Sequence, residues 1–199
     1  MIPYIQSTPY TTAASSLLTI LHHLKGIPLT KEQEFNIWKK TVNFPTRASS
    51  IYALASYAHK EGLTPKVVVE KKEYDFPDYR FYKYTKEDID HASFIADLHL
   101  RNAKNNNIQI EEQEITINHI KNELENDKIL ILRLNTKPIR NEKRNTSNYV
   151  VVHGYSNQYY HIVDPLVGGI SVPEHVFHES FQSLETKKYR DHRMIVFSN

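Results

Sequence analysis

Hydroxyl side chains that could act as nucleophiles in acyl transfer or amide hydrolysis are concentrated near the start of the chain. They are Thr8, Thr11, Thr12, Ser15 and Ser16. A hydroxyl needs a positioned base, because it has no ionised fraction comparable to a thiolate near neutral pH. The chain has 11 histidines as candidate bases and no cysteine. The lack of cysteine excludes disulfides, thiolate zinc sites, iron–sulfur clusters and cysteine nucleophiles.

Histidine pairs at metal-ligand spacing are present, but no third ligand is evident. His153 and His161 face each other if the late hairpin centres on Asn157. Pairs at i, i+3 spacing are His175 with His178 and Asp88 with His91. Because coincidental pairs are expected among so many histidines, we predict no metal site and no cofactor.

Helical periodicity dominates the first two thirds of the sequence. A first helix is expected over residues 13–25, ended by Gly26 and Pro28. Later helices are expected after four threonines: one capped by Thr30, one from Thr46 to Gly62, one from Thr85 to about Asn105, and one from Thr116 to Leu124.

Strand patterns dominate the last third, and they predict an α+β fold in which N-terminal helices pack on a late antiparallel sheet. The predicted strands are residues 66–70, 128–134, 149–155, 159–164, 169–172 and 192–197, with a helix from Pro173. The aromatic stretch Tyr74–Tyr84 is expected to be a loop or edge that packs over a cleft or meets a partner. The polar segment 137–148 is expected to be a mobile loop.

Length and composition predict a single domain over residues 1–199. The chain has a mass of 23.3 kDa and 40% hydrophobic residues, which suffice for a core. Its net charge of +2 gives no reason to expect nucleic acid or a membrane surface as partner. No signal peptide and no apolar run of about 18 residues is visible, so we expect a soluble cytoplasmic protein without a membrane span.

Three segments together resemble the peptidase C39-like branch of the papain-like fold: Tyr10–Leu21, Asn148–Tyr155 and Asp164-Pro165. In that family the N-terminal segment reads Q-x5-C-G-P-A, the late strand reads H-x-V-V-V-x-G-Y, and the next strand ends in D-P. The resemblance covers nearly the whole chain and implies a papain-like fold. This chain has Ala13 and Ala14 where the family has Gly-Pro.

The resemblance assigns four positions of the family's catalytic site. Gln6 matches the oxyanion-hole glutamine and Asp164 matches the acid that orients the histidine. Thr12 stands at the nucleophile position and Asn148 at the histidine position. Structural roles remain open for all four: a cap or backbone bridge for Gln6, an N-cap for Thr12, a loop residue for Asn148 and a turn-initiating pair for Asp164-Pro165.

The remaining side chains cannot restore the catalytic site. An amide such as Asn148 does not accept a proton at neutral pH, and losing nucleophile and base costs on the order of 10⁴–10⁶ in rate. Tyr149 is a poor base, since a phenol has a pKa of ~10. His153 lies roughly 16 Å from Asn148 along the strand and on the opposite face.

The sequence therefore favours a catalytically inactive C39-like pseudopeptidase that binds a peptide or partner protein in the former active-site cleft. Ligand-binding candidates are Gln6, Thr12, Asn148, Tyr149 and Asp164. Two alternatives stay open: an acyl or aminoacyl transferase or amide hydrolase with a rebuilt Ser/Thr-based site, and a scaffold subunit with a tyrosine-rich interface.

Overall fold

The computed structural model describes residues 1–74, 84–188 and 190–198, which form a mixed seven-stranded sheet with helices on both faces. The helices are Thr12–Lys25 (α1), Lys31–Thr41 (α2), Ile51–Lys60 (α3), Lys86–Asn105 (α4), Ile117–Glu125 (α5), Lys137–Arg140 (α6) and Glu174–Lys188 (α7). The predicted α+β class is confirmed.

The sheet order is β4-β3-β9-β5-β6-β7-β8. Its strands are Lys66–Val69 (β3), Gln109–Glu112 (β4), Lys128–Asn135 (β5), Ser147–Ser156 (β6), Tyr159–Asp164 (β7), Gly168–Pro173 (β8) and Arg193–Ser198 (β9). All neighbouring strands are antiparallel except β3 and β4. A separate hairpin joins Val42–Asn43 (β1) to Ala48–Ser49 (β2).

Alternation along the strands divides the core into two layers. Tyr149 and Val151 of β6 pack with α1 and α3, whereas Val150 and Val152 pack with α5 and α7. Successive side chains on a strand point to opposite faces, so residue parity decides which helical layer a β6 side chain meets.

Most predicted helix starts are correct because a threonine caps them. The Thr30 hydroxyl accepts from the backbone N–H of Gln33, and Thr85 forms a capping box with Asp88. The predicted start at Thr46 is wrong. Thr46 lies in the β1–β2 turn after the cis Phe44-Pro45 bond, and α3 begins at Ile51.

The sequence predicts neither the β1–β2 hairpin nor strand β4 nor helix α6. Strand β4 is a polar edge strand that pairs in parallel with β3, so it lacks the apolar alternation that marks a half-buried strand. The expected loop 137–148 instead contains the short helix α6 and the start of β6. Of the stretch Tyr74–Tyr84, residues 75–83 lie outside the described residues.

Candidate functional site

Helix α1 lies directly against the start of β6. The buried Ser16 hydroxyl donates to the backbone carbonyl of Tyr149 over 2.9 Å. Thr12 is the first residue of α1, one turn before Ser16, and the N-cap is Thr11. The expected N-cap role of Thr12 is therefore wrong by one residue. The Thr11 hydroxyl does not cap the helix and instead lies 2.9 Å from the Thr8 hydroxyl.

The N-terminal segment runs beside the loop that follows β7. The backbone N–H of Gln6 donates to the carbonyl of Pro165 over 2.8 Å. A Cβ built on Gly168 would lie 3.5 Å from Ile5, and its φ of +90° favours glycine. The two distant parts of the sequence thus meet at one end of the sheet, as the resemblance implies.

Asp164 is fully buried, and both of its carboxylate oxygens are engaged. Oδ1 accepts from the backbone N–H groups of Leu166 and Val167, at 2.8 and 3.2 Å. Arg140 donates from Nε to Oδ2 and from Nη2 to Oδ1, both over 2.9 Å. The expected turn at Asp164-Pro165 is present, and its carboxylate also holds a guanidinium.

Arg140 connects Asp164 to Asn148. Only 5% of the Arg140 side chain is exposed. With the Asn148 amide oxygen facing Arg140, that oxygen accepts from Nη1 and Nη2 at 3.0 and 3.1 Å, and the amide nitrogen donates to Ser147 O. A buried guanidinium therefore lies between the two positions that match the family's histidine and acid.

Sequence reasoning missed Arg140 because it lies in the polar segment expected to be mobile. One local signal was available, since the proline of Lys137-Pro138 is favourable in the first turn of a helix. Nothing in the sequence distinguishes Arg140 from neighbouring cations such as Lys143 and Arg144. Only the fold brings Asp164 within reach of it.

Asn148 lies on the face of the sheet opposite α1, the helix that begins at Thr12. Asn148 pairs with Leu134, which belongs to the core layer of α5 and α7, whereas α1 covers the other face. Within the described ranges, no hydrogen bond joins Thr12 to Asn148 or Asp164. The structure brings together Asn148 and Asp164 through Arg140 and places Gln6 beside Pro165.

Three hydroxyls near the start of α1, those of Thr11, Ser15 and Ser16, donate to backbone carbonyls and not to histidine. Ser15 donates to Tyr4 O over 2.8 Å, Ser16 to Tyr149 O, and Thr11 to Thr8 O. Imidazole–hydroxyl contacts do occur on the exposed hairpin, where His161 lies 2.7 Å from the Ser156 hydroxyl and 3.0 Å from the Ser171 hydroxyl. These contacts join β6, β7 and β8 and do not involve α1.

The expected pairing of His153 with His161 is wrong. A bulge near His153 shifts the register, so that Gly154 lies opposite His161. The two rings are 6.4 Å apart between centroids and tilted. Within the described residues, no group of three or more His, Cys, Asp or Glu side chains is placed to hold a metal ion.

A cavity of about 220 Å³ lies beside Tyr149, between the sheet and the α3–α4 layer. Tyr52, Tyr149, Arg133 and Arg193 line it. Burial raises the pKa of Tyr149, although Arg133 and Arg193 lower it in part. Since its pKa is raised above that of an ordinary phenol, Tyr149 is even less suited to act as a base.

The exposed apolar surface near Gln6 is suited to binding an extended ligand. The Oε1 atom of Gln6 is buried and has no hydrogen-bond partner. The N-terminal segment and the loop after β7, which meet where Gln6 bonds Pro165, carry exposed apolar side chains. They are Ile2, Ile5, Leu166 and Val167, exposed by 62%, 46%, 44% and 51%.

The fold sets the N-terminal half of α1 against a largely antiparallel sheet, Asp164 is the last residue of β7, and the chain has no cysteine. The model of the family described as "Peptidase_C39 like family" matches residues 2–194. The chain belongs to this family.

Comparison with solved structures shows the same fold. A double glycine motif protease from an AMS/PCAT transporter, solved in complex with the leader peptide, is 16% identical to this chain with a TM-score of 0.51. The match covers 100% of this chain and 93% of that chain. No curated protein matches the sequence. No helix in the described ranges has the length and apolar character needed to cross a membrane.

Proposed function

We propose that this chain is a catalytically silent C39-like domain that binds a peptide, or a peptide segment of a partner protein, beside its N-terminal segment. The observation that carries the proposal is the buried Arg140 between Asp164 and Asn148. A catalytic acid of this fold must orient an imidazole, and here the acid binds a guanidinium. A guanidinium stays protonated and cannot serve as a general base.

The surface next to Arg140 supports binding. The backbone N–H of Gln6 donates to Pro165 O, so the N-terminal segment and the loop after β7 form one surface. The exposed side chains of Ile5, Leu166 and Val167 offer apolar contacts beside it. A structural neighbour of this fold was solved with a leader peptide, which makes a peptide the first ligand class to test.

A rebuilt Ser/Thr hydrolase or transferase is less well supported. Such a site needs a hydroxyl within hydrogen-bond reach of a base in the cleft. Ser15 and Ser16 instead bond backbone carbonyls that hold α1 in place. The hydroxyl contacts of His161 lie on the exposed hairpin and include no carboxylate.

Binding and cleavage can be tested with one probe, a fluorescein-labelled peptide that carries a double-glycine motif followed by a short acceptor segment. Fluorescence anisotropy reports binding, and mass spectrometry reports cleavage. We expect saturable binding and an intact peptide after prolonged incubation. No binding, or cleavage that is lost in Thr12→Ala, would refute the proposal.

A matched pair of variants locates the binding surface. Leu166→Ser removes an apolar side chain beside Gln6, whereas Leu98→Ser removes one of similar exposure (39%) on α4. Burying a leucine side chain contributes about 1.5–3 kcal/mol, so Leu166→Ser should weaken binding roughly tenfold or more. Equal affinities for the two variants would place the peptide elsewhere.

A further inference from the structure

The last three strands at one edge of the sheet place an imidazole between two serine hydroxyls. On β7, His161 Nε2 lies 2.7 Å from the hydroxyl oxygen of Ser156, and Nδ1 lies 3.0 Å from that of Ser171. Ser156 is the last residue of β6, and Ser171 is the partner of His161 in the pairing of β7 with β8. Both serines are exposed and His161 is partly buried, so the hydroxyls can be reached from solvent.

The bulge in β6 positions the His161 ring. Because the register shifts between Val152 and Gly154, His161 pairs with Gly154 and not with His153. A Cβ built on Gly154 would lie 3.4 Å from His161 Cδ2, which is van der Waals contact. The ring therefore lies directly over the glycine, and each of its nitrogens contacts a hydroxyl on a neighbouring strand.

The two contact distances indicate which serine donates to the imidazole. A neutral imidazole has one N–H donor and one acceptor nitrogen, so one hydroxyl donates to the ring and the other accepts from it. The 2.7 Å contact of Ser156 has the usual length for a hydroxyl donor, and the 3.0 Å contact of Ser171 has that of an N–H donor. In this arrangement Ser156 donates to Nε2 of His161, and Nδ1 donates to Ser171.

The histidine next to His161 does not oppose proton uptake by this ring. The ring centroids of His153 and His161 are 6.4 Å apart. Burial lowers the pKa of His153 below its ordinary 6.5, and so does the nearby His161. His153 is therefore neutral at pH 7, and it places no positive charge beside an imidazole that accepts a proton.

This arrangement is suited to activating a hydroxyl toward reactive acyl donors. A hydroxyl becomes nucleophilic when an adjacent base accepts its proton, and a third group that orients the base completes such a site. Here the third group is the hydroxyl of Ser171, whereas a carboxylate would also stabilise the imidazolium. An activated ester makes a smaller demand than an amide, because its leaving group departs as a stable anion without taking up a proton.

We infer that Ser156 is a reactive serine that accepts an acyl group from activated esters, with His161 as its general base and Ser171 as the positioning residue. The Ser156 hydroxyl oxygen attacks the carbonyl carbon of the ester, and its proton passes to His161 Nε2. The bond from that carbon to the leaving oxygen then breaks, the leaving group departs as an anion, and His161 releases the proton to solvent. The product is an acyl ester on Ser156. This reaction needs neither α1 nor the proposed peptide site.

The test incubates the full chain with p-nitrophenyl acetate and follows acetylation of each serine over time by peptide mass spectrometry. Ser7 is the internal control, since it is also exposed and its hydroxyl lies 3.4 Å from the Tyr4 hydroxyl. A positioned general base contributes about 10²–10⁴-fold, so Ser156 should be acetylated at least about 100-fold faster than Ser7. Equal rates at Ser156 and Ser7, or faster acetylation of Ser171 than of Ser156, would overturn the inference.

Two pairs of variants test the roles of His161 and Ser171. His161→Gln keeps a hydrogen-bonding side chain without a basic nitrogen and should slow acetylation of Ser156 about 100-fold. The control His175→Gln removes an exposed imidazole from α7 and should leave the rate unchanged. Ser171→Ala should slow the reaction about tenfold, and Ser171→Thr, which keeps the hydroxyl, should restore it.

An unchanged rate in His161→Gln would refute the general base, and equal rates in Ser171→Ala and Ser171→Thr would refute the positioning role. If a variant does not fold, the ratio of Ser156 to Ser7 acetylation in the unmodified chain still decides.

Discussion

The guanidinium of Arg140 holds the Asp164 carboxylate through two hydrogen bonds of 2.9 Å and also donates to the Asn148 amide. Under the proposed function, Arg140 takes the place beside Asp164 that the imidazole of an active relative would need. Both carboxylate oxygens are engaged, since Oδ1 also accepts from the backbone N–H groups of Leu166 and Val167 and Oδ2 accepts from Arg140 Nε. Asp164 therefore has a structural role, because it holds Arg140 and the turn after β7 in place.

Removing Arg140 should strongly destabilise the fold. Arg140→Met leaves the buried Asp164 carboxylate without its partner, and breaking a buried pair in this way costs about 3–5 kcal/mol. Urea unfolding followed by the fluorescence of Trp38, the single tryptophan, measures the change in unfolding free energy.

The matched control for Arg140→Met is Arg144→Met, which removes an exposed cation four residues away and should change stability by less than about 0.5 kcal/mol. Adding Asp164→Asn to Arg140→Met should recover part of the loss, because the uncompensated charge disappears. Similar stability for Arg140→Met and Arg144→Met would show that the ion pair is not structural.

His192 should make stability depend on pH. Its Nδ1 lies 2.9 Å from Glu70 Oε1 and its Nε2 lies 3.0 Å from Phe181 O, so the protonated imidazole can donate to both acceptors. Burial lowers the pKa of His192, but the bonds to Glu70 and Phe181 raise it above the ordinary 6.5. Burial raises the pKa of Glu70, and the bonds from His192 bring it below 4.5.

The direction of the pH effect follows from these two shifts. A raised histidine pKa contributes stability that is complete below pH 6.5 and is lost as pH rises through the folded pKa. A lowered carboxyl pKa contributes stability that is lost as pH falls through its folded value. The destabilisation caused by His192→Gln should therefore be largest between about pH 4.5 and 6.5 and decline above it.

Thermal unfolding of the unmodified protein and of His192→Gln across pH 4 to 9 measures this pH dependence. His59→Gln, at an exposed position, is the control. A destabilisation by His192→Gln that does not change with pH would show that the His192–Glu70 contact does not depend on protonation.

Replacing glutamine by glycine should have opposite effects on stability at Gln158, in the β6–β7 turn, and at Gln182, in α7. Asn157 and Gln158 have φ of 51° and 65°, a conformation that glycine adopts more readily than glutamine. Gln158→Gly should stabilise the protein by about 0.5–1 kcal/mol. Gln182→Gly, at an exposed position inside α7, should destabilise it by about 1 kcal/mol. Chemical denaturation measures the change in unfolding free energy of both variants. A loss of stability in Gln158→Gly would show that the positive φ at this position does not strain the glutamine.

Local signals in the sequence predicted much of the fold. Thr30 and Thr85 begin helices because their hydroxyls satisfy free N–H groups, which is chemistry confined to a few neighbouring residues. The turn at Asn157-Gln158 is equally local. The error at Thr46 has the same origin, since a threonine in a turn resembles a cap until the hairpin around it is known.

The site was less predictable because its key contact joins distant residues. Asp164 was identified through the family pattern, but its partner Arg140 lies 24 residues earlier in a segment without periodicity. The bulge near His153 shifts the register of β6 and β7. His161 therefore pairs with Gly154 and not with His153, as regular antiparallel pairing would give. Side chains from β5, β6, β9 and α3 line the cavity beside Tyr149, and no local sequence pattern predicts that they lie close together.

Restoring a cysteine at position 12 and a histidine at position 148 tests most directly whether a catalytic pair can still form. The chain has no cysteine, so Thr12→Cys introduces a single thiol whose alkylation rate against pH reports its pKa. Because Arg140 binds Asp164 and Asn148 lies across the sheet from α1, adding Asn148→His should leave that pH profile unchanged. A thiol pKa lowered by a unit or more in the double variant would show that a working histidine–acid pair still reaches the start of α1.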